Sequence, residues 1–145
     1  MGYGLSLYTV LQVARASLPI FVEATLGRVD RATIDERAHT FARRIVEKAR
    51  IRLEVIGRER VPCDRAYVYM SNHQSHIDIP VLYATIPSPT VRMVAKKELF
   101  RVPVWGQAMR AAGMICVDRS DRASAIASLT EAGTQIGEGV SIWIA

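Results

Sequence analysis

Short apolar or alternating runs punctuate this chain at 51–55, 66–70, 91–95, 114–117 and 140–145, and most intervals between them carry helical spacing. Runs of roughly four to eight residues suit strands and are too short for ordinary helices. Strands that alternate with helices need crossover connections, and crossovers produce parallel pairings. The expected fold class is therefore α/β, a mixed, largely parallel sheet flanked by helices.

The individual elements follow from local pattern. Thr33-Ile34-Asp35-Glu36 reads as a capping box, behind which Ile34, Ala38, Phe41, Ala42, Ile45 and Ala49 recur at helical period. Arg37, Arg43, Arg44 and Lys48 lie off that face, which gives a basic amphipathic helix whose apolar face suits protein or lipid alike. Ile51, Leu53 and Val55 alternate with Arg52 and Glu54, a half-buried strand ending at Gly57. Strand Ala66–Met70 and helix Asp78–Thr85 come next, with Pro80 tolerated in the first helical turn and Pro87-Ser88-Pro89 beyond its end. Strand Val91–Ala95 precedes helix Val104–Ala112, stopped by Gly113. After strand Met114–Val117, Ser120 caps a helix carrying Ile126, Leu129 and Ile136. Gly137-Glu138-Gly139 closes it, and Val140–Ala145 is the last strand.

The 145 residues suffice for one core, organised as N-terminal helices over 1–50 and an α/β domain over 51–145. Residues Tyr3 to Leu26 are largely apolar, interrupted by Arg15, Pro19 and Glu23, and the uncharged stretch from Met1 to Ala14 is shorter than the roughly 20 residues of a spanning helix. No positive region precedes it and no small-residue cleavage site follows, so a secretory signal is not expected. A segment lying in the membrane interface fits better than a span. The net charge is +5, and Arg28 to Arg60 holds ten basic residues against six acidic ones. A basic surplus beside an apolar segment points to an anionic membrane surface. Nucleic acid is set aside, because no aromatic-basic platform or binding motif is present. Cys63 and Cys116 form neither a disulfide framework nor a metal motif; as small core residues they fit a reducing compartment. The expected location is the cytoplasmic face of the inner (plasma) membrane.

Asn72-His73-Gln74-Ser75-His76-Ile77-Asp78 directly follows the second strand. Five positions along a continuous helix turn through about 500°, so His73 and Asp78 meet only if the chain bends between strand and helix. Together they would supply a base and the carboxylate that fixes its tautomer and stabilises its protonated form. Ligands of open α/β sheets bind at the carboxyl ends of strands. His73 lies past one such end and Asp118-Arg119 past another, so the two groups should share an edge. Arg119 offers a permanently charged planar fork suited to phosphate. His76 adds a possible metal ligand to His73 and Asp78, but a third His or other well-spaced ligand cluster is missing and no metal is expected. Trp105 and Trp143 read as core or interface residues, and Asp118 as structural.

The segment from Asn72 to Asp78 resembles the N-H-x-S-x-x-D form of the HX4D motif of glycerolipid acyltransferases. Ala95-Lys96-Lys97-Glu98-Leu99-Phe100, with Pro103, Gly106 and the run Gly113 to Arg119, is similar to their second block. The nearest type is the 1-acyl-sn-glycerol-3-phosphate (lysophosphatidic acid) acyltransferase, and the likeness covers roughly Ile51 to Ala145. It implies an enzyme of phospholipid biosynthesis with His73 and Asp78 as catalytic residues and Arg119 and Gly113 in acceptor binding. It implies a lysophospholipid acceptor, acyl-CoA or acyl-carrier protein as co-substrate, membrane lipids as surroundings, and no cofactor. Family members continue past the strand matching Val140–Ala145 into a P-E-G-T-R-S-type motif, whereas this sequence stops at Ala145. A piece of a longer enzyme is therefore expected; the alternative is a catalytically impaired membrane-binding protein.

Overall fold

The computed structural model describes residues 3–145; Met1 and Gly2, the start of the uncharged N-terminal stretch, lie outside the described residues. Helix α1 spans Tyr3–Thr25 and α2 Arg31–Lys48. Then come β1 (Val68–Met70), α3 (Asp78–Thr85), β2 (Val91–Lys96), α4 (Trp105–Ala111), β3 (Ile115–Val117), α5 (Arg122–Gly137) and β4 (Ser141–Ile144). Short 3-10 turns lie at Arg58–Arg60 and Lys97–Arg101.

The four strands form one sheet in the order β1-β4-β2-β3, and every pairing is parallel. Strand β4 inserts between β1 and β2, with Val68 opposite Ile142 and Val91 opposite Ser141. Alternate residues serve opposite faces, as the pleat requires. Val91, Tyr69 and Trp143 pack with Tyr83 of α3 and Ala42 of α2. Ile115, Ile142 and Val94 pack on the other face with Ala132 of α5. Ile20 of α1 and Ile34 of α2 join Ala108 and Ala112 beside α4, so both N-terminal helices share the core of the sheet's helical layer.

Several elements differ from the sequence expectation. Residues 51–54 keep their alternation, Ile51 and Leu53 half-buried and Arg52 and Glu54 exposed, but Val55 is exposed too and the segment forms no strand, because no partner strand lies alongside. The cap of α2 is Asp30, whose carboxylate accepts from the Thr33 amide and hydroxyl, each at 2.8 Å; the helix starts before the anticipated box. Asp121 caps α5 in place of Ser120, accepting from the Ala123 amide at 3.0 Å. On α5, Ile126 and Leu129 are exposed, and the buried face is Ser128 and Ala132. These small side chains let the helix approach β3 closely: the Ser128 hydroxyl donates to the Cys116 carbonyl at 2.6 Å. Cys63 is an exposed residue and not a core one, its Sγ donating to the Pro87 carbonyl.

Helix α1 is reversed relative to an ordinary surface helix. It buries Gln12 and Ser17, each 8 % exposed, and turns Leu7, Val10, Leu11, Leu18 and Val22 outward. It continues through Pro19, and Gly4–Thr25 is long and apolar enough to cross a membrane. The apolar face of α2 goes to protein instead, through Ile34, Ala42 and Ile45.

Candidate active site

Because all four strands are parallel, their carboxyl ends share one edge. Across it, in order, come the loop after β1 with His73, Ala145 after β4, Lys97 after β2, and Asp118-Arg119 after β3. Strands lie about 4.8 Å apart, so the first and last of these loops are separated by roughly 14 Å. The two segments that sequence expects on a common edge are on it, at opposite ends.

The loop after β1 turns sharply into α3, which brings His73 and Asp78 together. His73 Nδ1 stands 3.1 Å from Asp78 Oδ2. The same oxygen accepts from the backbone amides of Ser75 and Gln74, each at 2.8 Å. The Ser75 and Gln74 amides hold the Asp78 carboxyl below its ordinary pKa against the opposing effect of burial, and His73 adds a smaller lowering. A carboxylate only accepts, so this contact selects the neutral tautomer with the proton on Nδ1 and the lone pair on Nε2. Among the described residues no group hydrogen-bonds Nε2. Both side chains remain about a third exposed, 34 % for His73 and 37 % for Asp78. Ser75 supports the turn: its hydroxyl accepts from the Ile77 amide at 3.3 Å.

Trp143 completes the support, a role its sequence context did not disclose. Its ring meets His73 edge to face, with centroids 5.6 Å apart and planes at 84°. Its Nε1 donates to Ser71 Oγ at 3.0 Å, so the indole is pinned to the His73 loop. The signal was the period-2 alternation of β4, which puts Trp143 on the α3 face.

At the other end, Lys97 pairs with Asp118, and Asp118 also accepts from the Ser120 hydroxyl at 2.6 Å and amide at 2.9 Å. Lys97 first, then Ser120, lower the Asp118 carboxyl from the ordinary 3.8 to about 2. Asp118 is thereby engaged in structure. Arg119 is exposed, and its Nη2 donates to the Ala145 carbonyl at 3.2 Å. Gly113 is not with this group. It precedes β3, at the opposite edge of the sheet, where its φ of 75° closes α4. The Gln135 side chain donates to its carbonyl at 3.1 Å. A turn-forming role accounts for this glycine, and the topology separates it from His73.

An apolar cavity of about 490 Å³ adjoins the loop at His76 and Ile77. It runs between α1, α2, α3 and α4, lined by Ile20, Phe41, Tyr83 and Met109 among others. Burial raises the Tyr83 hydroxyl well above its usual pKa, and that hydroxyl donates to the Val91 carbonyl at 3.0 Å. Among the described residues no cluster of three or more His, Cys, Asp or Glu side chains is disposed to hold a metal ion.

The arrangement can accept a proton at Nε2 near an apolar cavity, on a sheet edge that also carries Arg119. Comparison with known proteins gives it a family. The Acyltransferase family model matches residues 52–145. The 1-acyl-sn-glycerol-3-phosphate acyltransferase alpha of Homo sapiens is 36% identical over 95 residues, 65% of this chain and 33% of that protein. The 1-acyl-sn-glycerol-3-phosphate acyltransferase of Helicobacter pylori is 41% identical over 64 residues, 44% of this chain and 27% of that protein. The crystal structure of the 1-acyl-sn-glycerophosphate (LPA) acyltransferase PlsC from Thermotoga maritima shares the fold, with a TM-score of 0.70 and 23% identity; the match covers 96% of this chain and 57% of that one. The match spans about a third of the length of the curated relatives from Homo sapiens, Ovis aries and Bos taurus. A likeness that includes the His73 loop, the second block and the whole described sheet leaves one conclusion: the chain belongs to the acyltransferase family.

Proposed function

We propose that the protein moves a fatty acyl group from a thioester, acyl-CoA or acyl-carrier protein, to the free hydroxyl of a lysophospholipid such as 1-acylglycerol-3-phosphate. The observation that carries this reading is the His73–Asp78 pair, with Nε2 unengaged among the described residues, near an apolar cavity of about 490 Å³. His73 Nε2 takes the hydroxyl proton as the acceptor oxygen attacks the thioester carbonyl. The tetrahedral intermediate collapses, expelling the thiolate, and the imidazolium returns the proton to sulfur. Asp78 stabilises the imidazolium and holds the tautomer. The cavity takes the acyl chain, and Arg119 binds the acceptor's phosphate from the far end of the edge. The roughly 14 Å between the two loops is bridged by the substrate and the arginine's own length.

The outward apolar stripe of α1 supports a position at a membrane, where a lysophospholipid is presented; the reading assigns the cytoplasmic face and a role in phospholipid biosynthesis. The test is transfer of a radiolabelled acyl group from acyl-CoA to lysophosphatidate, glycerol 3-phosphate or lysophosphatidylcholine, with products resolved by chromatography. A labelled diacylglycerol phosphate formed from lysophosphatidate supports the reading. Label released only as free fatty acid would contradict it.

A further inference from the structure

Packed helices ordinarily close the space between them with apolar side chains. Helices α1 and α2 instead leave an open cleft of about 320 Å³, where Ala16 and Phe41 lie beside the polar side chains of Gln12, Arg15, Glu36 and Arg44. Arg37 is already neutralised, its two terminal nitrogens each 2.6 Å from a Glu23 carboxylate oxygen. Arg15 and Arg44 have no carboxylate at ion-pair distance among the described residues. The Arg44 guanidinium meets only the amide oxygen of Gln12, at 3.4 Å. Gln12 is itself buried, so a neutral amide is held in place against the Arg44 fork, with Arg15 lining the same cleft. The exposed carboxylate of Glu36 offsets one of the two charges and leaves the cleft cationic.

The cleft opens beside the apolar stripe. At about 100° per residue, Arg15 stands next to Leu11 and Leu18 on one side and to Gln12 on the other. Leu11, Leu18 and Val22 are all about half-exposed. A cationic fork at the boundary between a polar cleft and an apolar stripe matches a ligand with a phosphate and hydrocarbon side by side.

We propose that this cleft binds the phosphate of an anionic membrane phospholipid, with Arg15 and Arg44 on the phosphate oxygens and the acyl chains along Leu11, Leu18 and Val22. It is separate from the edge that carries His73, and it rests on the reading that α1 lies against a bilayer. A free phosphate would use the same forks, but it has no use for the stripe.

The full chain is tested against vesicles of phosphatidylcholine alone and of phosphatidylcholine with phosphatidylglycerol. The variants are R15K/R44K, which keeps the charge, and R15Q/R44Q, which removes it; circular dichroism checks that both fold. Guanidinium forks hold phosphate bidentately and ammonium groups do not. Affinity for the anionic vesicles should fall about 5-fold or more in R15K/R44K and about 10- to 30-fold in R15Q/R44Q, with binding to neutral vesicles unchanged. Wild-type affinity in R15K/R44K would overturn the site and leave only diffuse surface attraction. Arginine-dependent binding of inorganic phosphate in solution, without the vesicle effect, would overturn the lipid assignment. Failure of the wild type to bind either vesicle would overturn the membrane reading of α1 and the site with it.

Discussion

Trp143 and His73 meet edge to face at 5.6 Å, and the Trp143 indole nitrogen is bonded to Ser71, two residues before His73. The His73 imidazole is thus held from two sides, by Asp78 through Nδ1 and by a buried indole against its ring. W143F keeps an aromatic ring and loses the Ser71 bond, whereas W143L loses both contacts. The expected result is a graded fall in kcat, modest for W143F and roughly 10- to 100-fold for W143L, with little change in KM. Equal activity in all three proteins would remove Trp143 from the positioning of His73.

Gly106 is indispensable for a steric reason. A Cβ there would collide with the Phe100 carbonyl and stand 2.8 Å from the Phe100 Cα, because α4 folds back onto the 3-10 turn. Backbone cannot yield as a flexible side chain can. G106A should lose about 2–3 kcal/mol in urea denaturation, and a loss below about 0.5 kcal/mol would show that α4 relaxes freely.

Asp35 of α2 and Arg92 of β2 form a pair whose side chains are 13 % and 5 % exposed, at 2.5 Å, with the Thr90 hydroxyl on the second carboxylate oxygen. Removing one partner strands the other in the interior. R92M should destabilise by about 3–5 kcal/mol, and the double variant D35L/R92M should recover much of that loss. A double variant no more stable than R92M would contradict this view of the pair.

Acid should weaken the Asp118 contacts. Its folded pKa lies below its unfolded value, so its stabilising contribution is complete above 3.8 and disappears as pH falls toward about 2. The stability gap between wild type and D118N should therefore be constant near neutrality and close between about pH 4 and pH 2. A gap that persists unchanged through that range would mean the Lys97 and Ser120 contacts do not favour the ionised form.

Legibility in the sequence followed the distance over which each feature is decided. Strands β1 to β4 and helix α3 were readable because apolar runs and prolines act locally. The His73 loop was readable because only a strand-to-helix turn joins residues five apart. Residues 51–55 misled because alternation reports an extended chain with one face inward, and a ladder needs a neighbour that no local pattern announces. The exposed Ile126 and Leu129 misled because the close approach of α5 to β3 favours Ser128 and Ala132 over bulk. Gly113 lay in a recognisable block, yet parallel topology puts the start of β3 at the other edge from His73. The Trp143–His73 contact joins residues 70 apart in sequence through strand order alone, which no spacing rule reaches.

The central claim is that His73 is the base of an acyl transfer, and release of free CoA thiol from acyl-CoA in the presence of lysophosphatidate tests it most directly. Wild type should release thiol only when the acceptor is present, and H73A, still folded by circular dichroism, should be slower by about 100-fold or more. Undiminished acceptor-dependent release by H73A would contradict the account.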